Sequence, residues 1–306
     1  MARVCDACGR KAVIHVEYSG RHLCGDHFND FYLKRVKREL RSQRRIANRV
    51  AVGVSGGKDS MALLDVLHGL LSPVGVDVVA LAIDEGISGY RDRSLDVLKG
   101  FASERDIELV VLGFEDEFGT TMDSIVAGQC ERGACSYCGV LRRSLLNTGA
   151  LRMEADVIAT GHTVDDMAQT GLMNFLRGDV DRIIRTGPHR WVQEGLVPRI
   201  LPLRRIPEKE NMLYCVLNGV PHLHGECPYS GGAHRRFHRE VFGAAEEDTP
   251  GTRHAVVNSM DRIVALFTSG PEPLGSCSRC GDATGGEVCM KCRYLDEIAG
   301  NSKDNR

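Results

Sequence analysis

The 306-residue sequence predicts an α/β fold: a parallel sheet with helices on both faces, flanked by a zinc-finger module at each end. Three observations carry this. Short Val- and Ile-rich runs alternate with helical patterns, a glycine pair with hydroxyls closes the first run, and ten of the twelve cysteines fall in tight groups. The composition is that of a globular chain, with 42% hydrophobic residues and a mean hydropathy of −0.19. No apolar run approaches the ~18 residues a membrane span needs. MARVCDACGR has no apolar signal core, so a cytoplasmic address is expected. In that reducing compartment, grouped cysteines point to metal or catalytic sites rather than to disulfides.

Residues 1–29 supply Cys5-x2-Cys8 and Cys24-x2-His27, two pairs of soft ligands suited to closed tetrahedral Zn²⁺. Residues 30–49 read as a basic helix. Lys34 to Arg49 holds eight cations and one acid, and residues 1–49 carry a net +7 against −9 for the remainder. Such clustering is the footprint of a nucleic-acid backbone partner, with Arg41, Arg44 and Arg45 as phosphate contacts. A second scatter, Arg182, Arg185, Arg190, Arg199, Arg204, Arg205, Arg235, Arg236 and Arg239, is expected to extend that surface.

Residues 50–240 form the core domain. Its strands are RVAVGV (49–54), VDVVALAID (76–84), IELVVLGF (107–114) and ADVIATG (155–161), apolar throughout as strands buried on both faces must be. Cys215, in MLYCVL, reads as a core residue. A helical segment is expected over 250–270. A second zinc module, Cys277-x2-Cys280 with Cys289-x2-Cys292, follows over 274–295.

The first strand runs through Val54 into Ser55-Gly56-Gly57-Lys58-Asp59-Ser60 and then a helical pattern. Glycines admit a close anion, a helix N-terminus adds positive potential, Lys58 neutralises phosphates, and Ser55 and Ser60 donate hydrogen bonds. The fourth strand runs into Gly161-His162-Thr163-Val164-Asp165-Asp166. Two carboxylates at the same sheet edge suit a Mg²⁺ bridging phosphates, or begin the next helix as dipole-stabilised acids; both roles are compatible.

These segments resemble those of the PP-loop (adenine nucleotide alpha hydrolase-like) ATP pyrophosphatases. Within that superfamily, Cys135-Ser136-Tyr137-Cys138 on a loop before a helix, Cys227 much later, Ile83-Asp84-Glu85-Gly86-Ile87 and the two zinc modules resemble the tRNA 2-thiouridine synthetases of the TtcA/TtuA type. The resemblance implies an ATP-dependent tRNA sulfurtransferase that adenylates a uridine O2, releases pyrophosphate and replaces that oxygen with sulfur. It further implies Ala82 and Ile83 at the adenine, Arg142 near the α-phosphate, and Cys135, Cys138 and Cys227 on a [4Fe-4S] cluster. The partners it implies are tRNA, a ubiquitin-like sulfur carrier or sulfide donor, and a second copy in a homodimer.

Three thiolates on a four-iron cube leave one iron open to exogenous sulfide. Cys138 and Cys227 can instead carry and resolve a persulfide, or Cys135, Cys138 and Cys227 can complete a third zinc site with Cys130. Other PP-loop ligases need the loop but not the three cysteines, and a zinc-ribbon RNA-binding scaffold would need neither Lys58, Asp59 nor Ser60.

Overall fold

The computed structural model describes residues 3–43, 48–128, 132–188, 191–230, 235–267 and 272–304, the side chains of 235, 236 and 301–304 excepted. The chain opens with an antiparallel pair, β1 (Ile14–Val16) and β2 (Arg21–Leu23), and turns directly into α1 (Gly25–Gln43). This helix begins five residues ahead of the expected position 30. Asp26 in its first turn favours an early start through the helix dipole. Phe28, Tyr32, Val36 and Leu40, four residues apart, make one buried stripe.

The core then follows as β3 (Arg49–Gly53), α2 (Lys58–Leu71), β4 (Asp77–Asp84), α3 (Arg91–Glu104), β5 (Leu109–Gly113), α4 (Phe114–Phe118), α5 (Met122–Ala127), α6 (Ala134–Arg152), β6 (Val157–Thr160), α7 (Val164–Leu176), α8 (Val180–Arg185), β7 (Arg199–Ile200) and α9 (Glu208–Asn218). α10 (Arg235–Asp248), α11 (Thr252–Leu266), the antiparallel pair β8 (Gly275–Ser276) and β9 (Ala283–Thr284), and α12 (Met290–Asp304) complete it. The five core strands are parallel, in the order β5-β4-β3-β6-β7.

Strand alternation explains the unbroken apolar runs. Val50, Val52, Val78, Ala80 and Ala82 enter one core with α2 and α3, while Ala51, Val79 and Leu81 enter another against α6. Gly149 lets α6 approach closely, since a Cβ there would stand 2.8 Å from Leu81 Cδ1. Because β4 and β5 lie to one side of β3 and β6 to the other, chain direction across the sheet reverses between β3 and β6. In open α/β sheets the ligand crevice opens at that reversal, beyond the carboxyl ends of the strands.

β7, α8 and α10 have no counterpart in the sequence expectations. A two-residue strand has no periodicity to detect, and α10 offers Phe242 as its one buried apolar side chain among charged neighbours. Cys215 is buried on α9, donating its thiol to Lys58 C=O at 3.5 Å. No helix among the described residues is long and apolar enough to cross a membrane.

Candidate functional site

Register sets the site. Gly53, the last residue of β3, lies beside Leu81 and Thr160, and Val54 N–H donates to Leu81 C=O at 2.9 Å. The chain therefore leaves β3 and β6 at the same level, where Ser55–Ser60 meets Gly161–Asp166. Gly56 sits at φ +79°, and a Cβ there would come within 2.7 Å of Ser94 C=O. Gly161 is equally constrained, a Cβ falling 3.0 Å from the Asp59 carbonyl. Ser60 Oγ accepts Ser55 N–H at 3.1 Å and donates to Gly57 C=O at 2.9 Å, closing the loop onto the first turn of α2. That first turn directs N–H groups without helical partners into the crevice.

Lys58 Nζ pairs with Asp59 Oδ2 at 3.1 Å and also with Glu208. Burial works against its charge, but the two carboxylates raise it above the ordinary lysine value. At Asp59 burial prevails instead: it outweighs the Asn211 amide, which donates at 2.8 Å, and Lys58, and pushes the carboxyl up to about 6. Asn211 in turn accepts from Tyr32 at 2.7 Å, so a buried relay joins α1 to the loop.

Asp166 closes a capping box with Thr163, accepting its N–H and its hydroxyl at 3.0 Å each. Asp165 accepts Glu208 N–H at 2.8 Å and pairs with Arg253 at 3.1 Å. Asp166 thus serves the start of α7 and Asp165 that of α9, and any divalent cation would share oxygens already hydrogen-bonded. His162 Nδ1 lies 2.9 Å from Thr160 Oγ1.

Cys135 and Cys138 are expected on a loop, and the structure places both within the first five residues of α6. Gly133, at φ +76°, ends the preceding loop one residue before the helix, and spacing of three puts the two thiols on one face. Cys227 arrives from the segment after α9. Leu223 N–H in that segment donates to Gly56 C=O at 2.8 Å, which ties the cysteine's approach to the phosphate loop. Cys135 Sγ lies 3.6 Å from Tyr229 C=O. Burial pushes the Cys138 thiol up to about 11, against the pull of Arg142. Cys227 is also raised, again first by burial. Cys130 lies outside the described residues.

The donor sets differ in spacing. A zinc ion with thiolates at about 2.3 Å in a tetrahedron requires sulfurs about 3.8 Å apart. Cys8 and Cys24 are 3.7 Å apart, Cys277 and Cys292 3.9 Å, and Cys280 and Cys289 3.6 Å. In each terminal set all four ligand atoms, those of Cys5, Cys8, Cys24 and His27 or of Cys277, Cys280, Cys289 and Cys292, lie within 4.8 Å of one another. Backbone N–H groups at Cys289 and Arg279 draw the Cys277 thiol down to about 6. At Cys5, burial is outweighed by backbone N–H groups at Cys24, Ala7 and Cys8, and the thiol again falls to about 6. Among the described residues, Cys135, Cys138 and Cys227 do not form a set of this kind.

Lys34, Lys37, Arg38 and Arg41 stand exposed along one face of α1, and none pairs with a carboxylate among the described residues. Arg35, between them in sequence, turns inward to Glu210 and Tyr18, and Arg49 pairs with Asp77 and Glu108. The second scatter is corrected in part, since Arg182, Arg185 and Arg239 are exposed. Arg204 and Arg205 are held by Asp261, Arg205 also by Glu39, and Arg199 is half-buried, where desolvation lowers it from the ordinary arginine value. Arg44, Arg45 and Arg190 lie outside the described residues. Ala82 and Ile83 are buried at the end of β4. A groove of about 480 Å³ between α7, α10 and α11, lined by Leu172, Phe175 and Phe242, contains none of the motif residues.

Sequence reasoning missed Glu208 and Asn211 on α9. Glu208 carries only a faint signal, an acid opening a helix after Pro207.

Comparison with known proteins follows the same lines. The PP-loop domain model matches residues 31–237, and the N-terminal LIM domain of 2-thiouridine synthetase TtuA matches residues 4–29. The tRNA 2-thiolation protein NcsA of Haloferax volcanii is 40% identical over 96% of this chain and 98% of its own. The tRNA-5-methyluridine(54) 2-sulfurtransferase of Thermus thermophilus is 36% identical over 99% and 94%. Among solved structures, the U34-tRNA thiolase NcsA from Methanococcus maripaludis with its [4Fe-4S] cluster superposes with a TM-score of 0.85 at 31% identity, covering 96% of each chain.

Proposed function

This chain belongs to the PP-loop family of tRNA 2-thiolation proteins, and from that premise we propose that it is an ATP-dependent tRNA sulfurtransferase. One observation carries the reading: the segment bearing Cys227 is hydrogen-bonded to the phosphate loop through Leu223 and Gly56, which brings sulfur chemistry to the edge where nucleotide is activated.

A pyrimidine carbonyl oxygen is a poor leaving group, and transfer of AMP to a uridine O2 makes it a good one. Val54 to Ser60, with Gly161 and His162, cradle the triphosphate. Ala82 and Ile83 border the adenine, and Lys58 exchanges its two carboxylates for phosphate oxygens. Arg142 meets the α-phosphate and stays with AMP as C2 accepts sulfur. Cys135, Cys138 and Cys227 hold a [4Fe-4S] cluster, which when bound supplies an iron without a protein ligand for a sulfide. Asp165 and Asp166 are the proposed Mg²⁺ carboxylates. The α1 stripe through Arg41, together with Arg44 and Arg45 that come next in the sequence, is proposed to contact the tRNA backbone. The remaining proposals are a ubiquitin-like sulfur carrier or free sulfide as donor, a homodimer, and a cytoplasmic location.

The purified protein with ATP, tRNA and sulfide under anaerobic conditions should form AMP, pyrophosphate and a 2-thiouridine nucleoside seen by mass spectrometry. ADP and phosphate as products, or AMP without any thiolated nucleoside, would overturn the assignment.

We assign the terminal ligand sets to structural zinc, on their sulfur spacing. The C-terminal module reaches the thiols through α12: Tyr294 packs on Tyr137 with ring centroids 4.8 Å apart, and Tyr137 donates to Glu297 at 3.0 Å. Replacing Cys277 and Cys280 by serine should therefore remove one zinc equivalent and lower thiolation, with ATP affinity within about twofold because the phosphate loop is built from other elements. Metal analysis and nucleotide titration check this, and a collapse of ATP binding would contradict it.

A further inference from the structure

Glu85 follows β4 directly and is only 4% exposed. The turn that carries it is fixed: its carbonyl accepts Met122 N–H at 2.8 Å, and Gly86, at φ +65°, faces Thr121 so closely that a Cβ would stand 2.6 Å away. Two guanidiniums meet its carboxylate. Arg91, also buried, approaches Oε2 with Nε at 3.0 Å, and Arg142 approaches Oε1 with Nη1 at 3.6 Å. Arg91 continues to the phosphate loop, donating Nη1–H to Ser55 C=O at 2.9 Å. Arg142 lies one helical turn beyond Cys138 on α6, and its charge acts on both Cys138 and Cys227.

A line of contacts thus runs from the Ser55 carbonyl through Arg91 and Glu85 to Arg142, one helical turn from Cys138. Arg91 already satisfies Glu85 as an ion pair, so the second guanidinium is surplus to the needs of burial. Arg142 is half exposed and has a long flexible stem, so without an anchor it would sample many rotamers. We infer that Glu85 is a positioning residue, holding the Arg142 guanidinium in the gap between the phosphate loop and the three thiols. Arg142 then meets the phosphate that departs with the uridine oxygen without first having to be ordered. The inference rests on the thiolation reading above and adds a residue to it.

A double-mutant cycle tests it, run on cluster-loaded protein with circular dichroism and visible absorption recorded for each variant. Glu85→Gln should lower kcat for thiolation roughly tenfold, the scale of one lost charge-assisted contact, with the KM for ATP within about threefold. Arg142→Ala should lose at least as much, and the double variant should be no slower than Arg142→Ala alone, because Glu85 acts through that arginine. Where Glu85→Gln does not fold, the cycle is run with Glu85→Asp, which keeps the buried charge but draws the carboxylate back by one methylene, further lengthening the already longer contact to Arg142. The same non-additivity is expected. A double variant slowed by the product of the two single losses would overturn the inference, as would a Glu85 variant that loses only stability or cluster. Wild-type protein that makes no thiolated nucleoside would instead remove the functional reading beneath it.

Discussion

Alanine at Cys138 or Cys227 is expected to abolish thiolation, a loss beyond about 10³-fold, while formation of AMP and pyrophosphate stays within about threefold. The separation follows from where the groups stand. Lys58, Ser55 and Ser60 hang from the β3–α2 turn, whereas Cys138 projects from α6 and Cys227 from the segment after α9. Cys138 packs at the edge of the apolar cluster around Phe114 and Leu141, and removing its sulfur leaves only a one-atom void there. Cys135, exposed at the start of the same helix, should behave alike in thiolation. Cys130→Ala should thiolate normally. Assays of both half-reactions on each variant decide the point. A Cys130 variant as inactive as the others would reassign the ligands. Full thiolation by iron-free protein with a persulfide donor would replace the cluster with persulfide chemistry on the same residues.

Much of this site is legible in the sequence because its groups are fixed by local rules. Gly56 and Gly161 occupy positions where a side chain would strike backbone, and the cysteine pairs have spacings set by tetrahedral coordination. The four predicted strands are found at β3, β4, β5 and β6, since strands buried on both faces leave an unbroken apolar run. What the sequence hides is made by long-range packing. Glu208 reaches Lys58 across 150 positions, Glu210 reaches Arg35 across 175, and Asn211 reaches Asp59 across 152. No periodicity records such pairings. The same cause misleads the reading of charge: Arg35 looks like its neighbours Lys34 and Lys37, and only the fold shows that it neutralises a fully buried carboxylate. The loop expected around Cys135 fails for a smaller reason. A cysteine pair before a helical pattern does not disclose whether the helix has already begun, and Gly133 alone marks the boundary.

Lys58→Ala should reduce ATP turnover by about 10²-fold or more, the cost of removing a preorganised charge from a reacting phosphate. The environment makes the loss larger than that of a single contact. With the ammonium gone, Asp59 and Glu208 remain beside the phosphate cradle as uncompensated acids and repel the incoming triphosphate. Lys58→Ala combined with Glu208→Gln should therefore regain part of the ATP affinity while kcat stays low, because repulsion is relieved but no cation is restored. Titration of an ATP analogue and steady-state AMP release separate the two effects, and a double variant that binds no better than Lys58→Ala would show that Glu208 does not face the phosphates. The pH dependence has a definite sign. Burial holds Asp59 at about 6, above its ordinary 3.8, so its ionisation opposes folding and stability from this group falls as pH rises through about 4 to 6. Lys58 moderates that rise by favouring the carboxylate. In Lys58→Ala the Asp59 carboxyl should titrate higher still, and the loss of stability should shift toward neutral pH in thermal melts of the nucleotide-free protein.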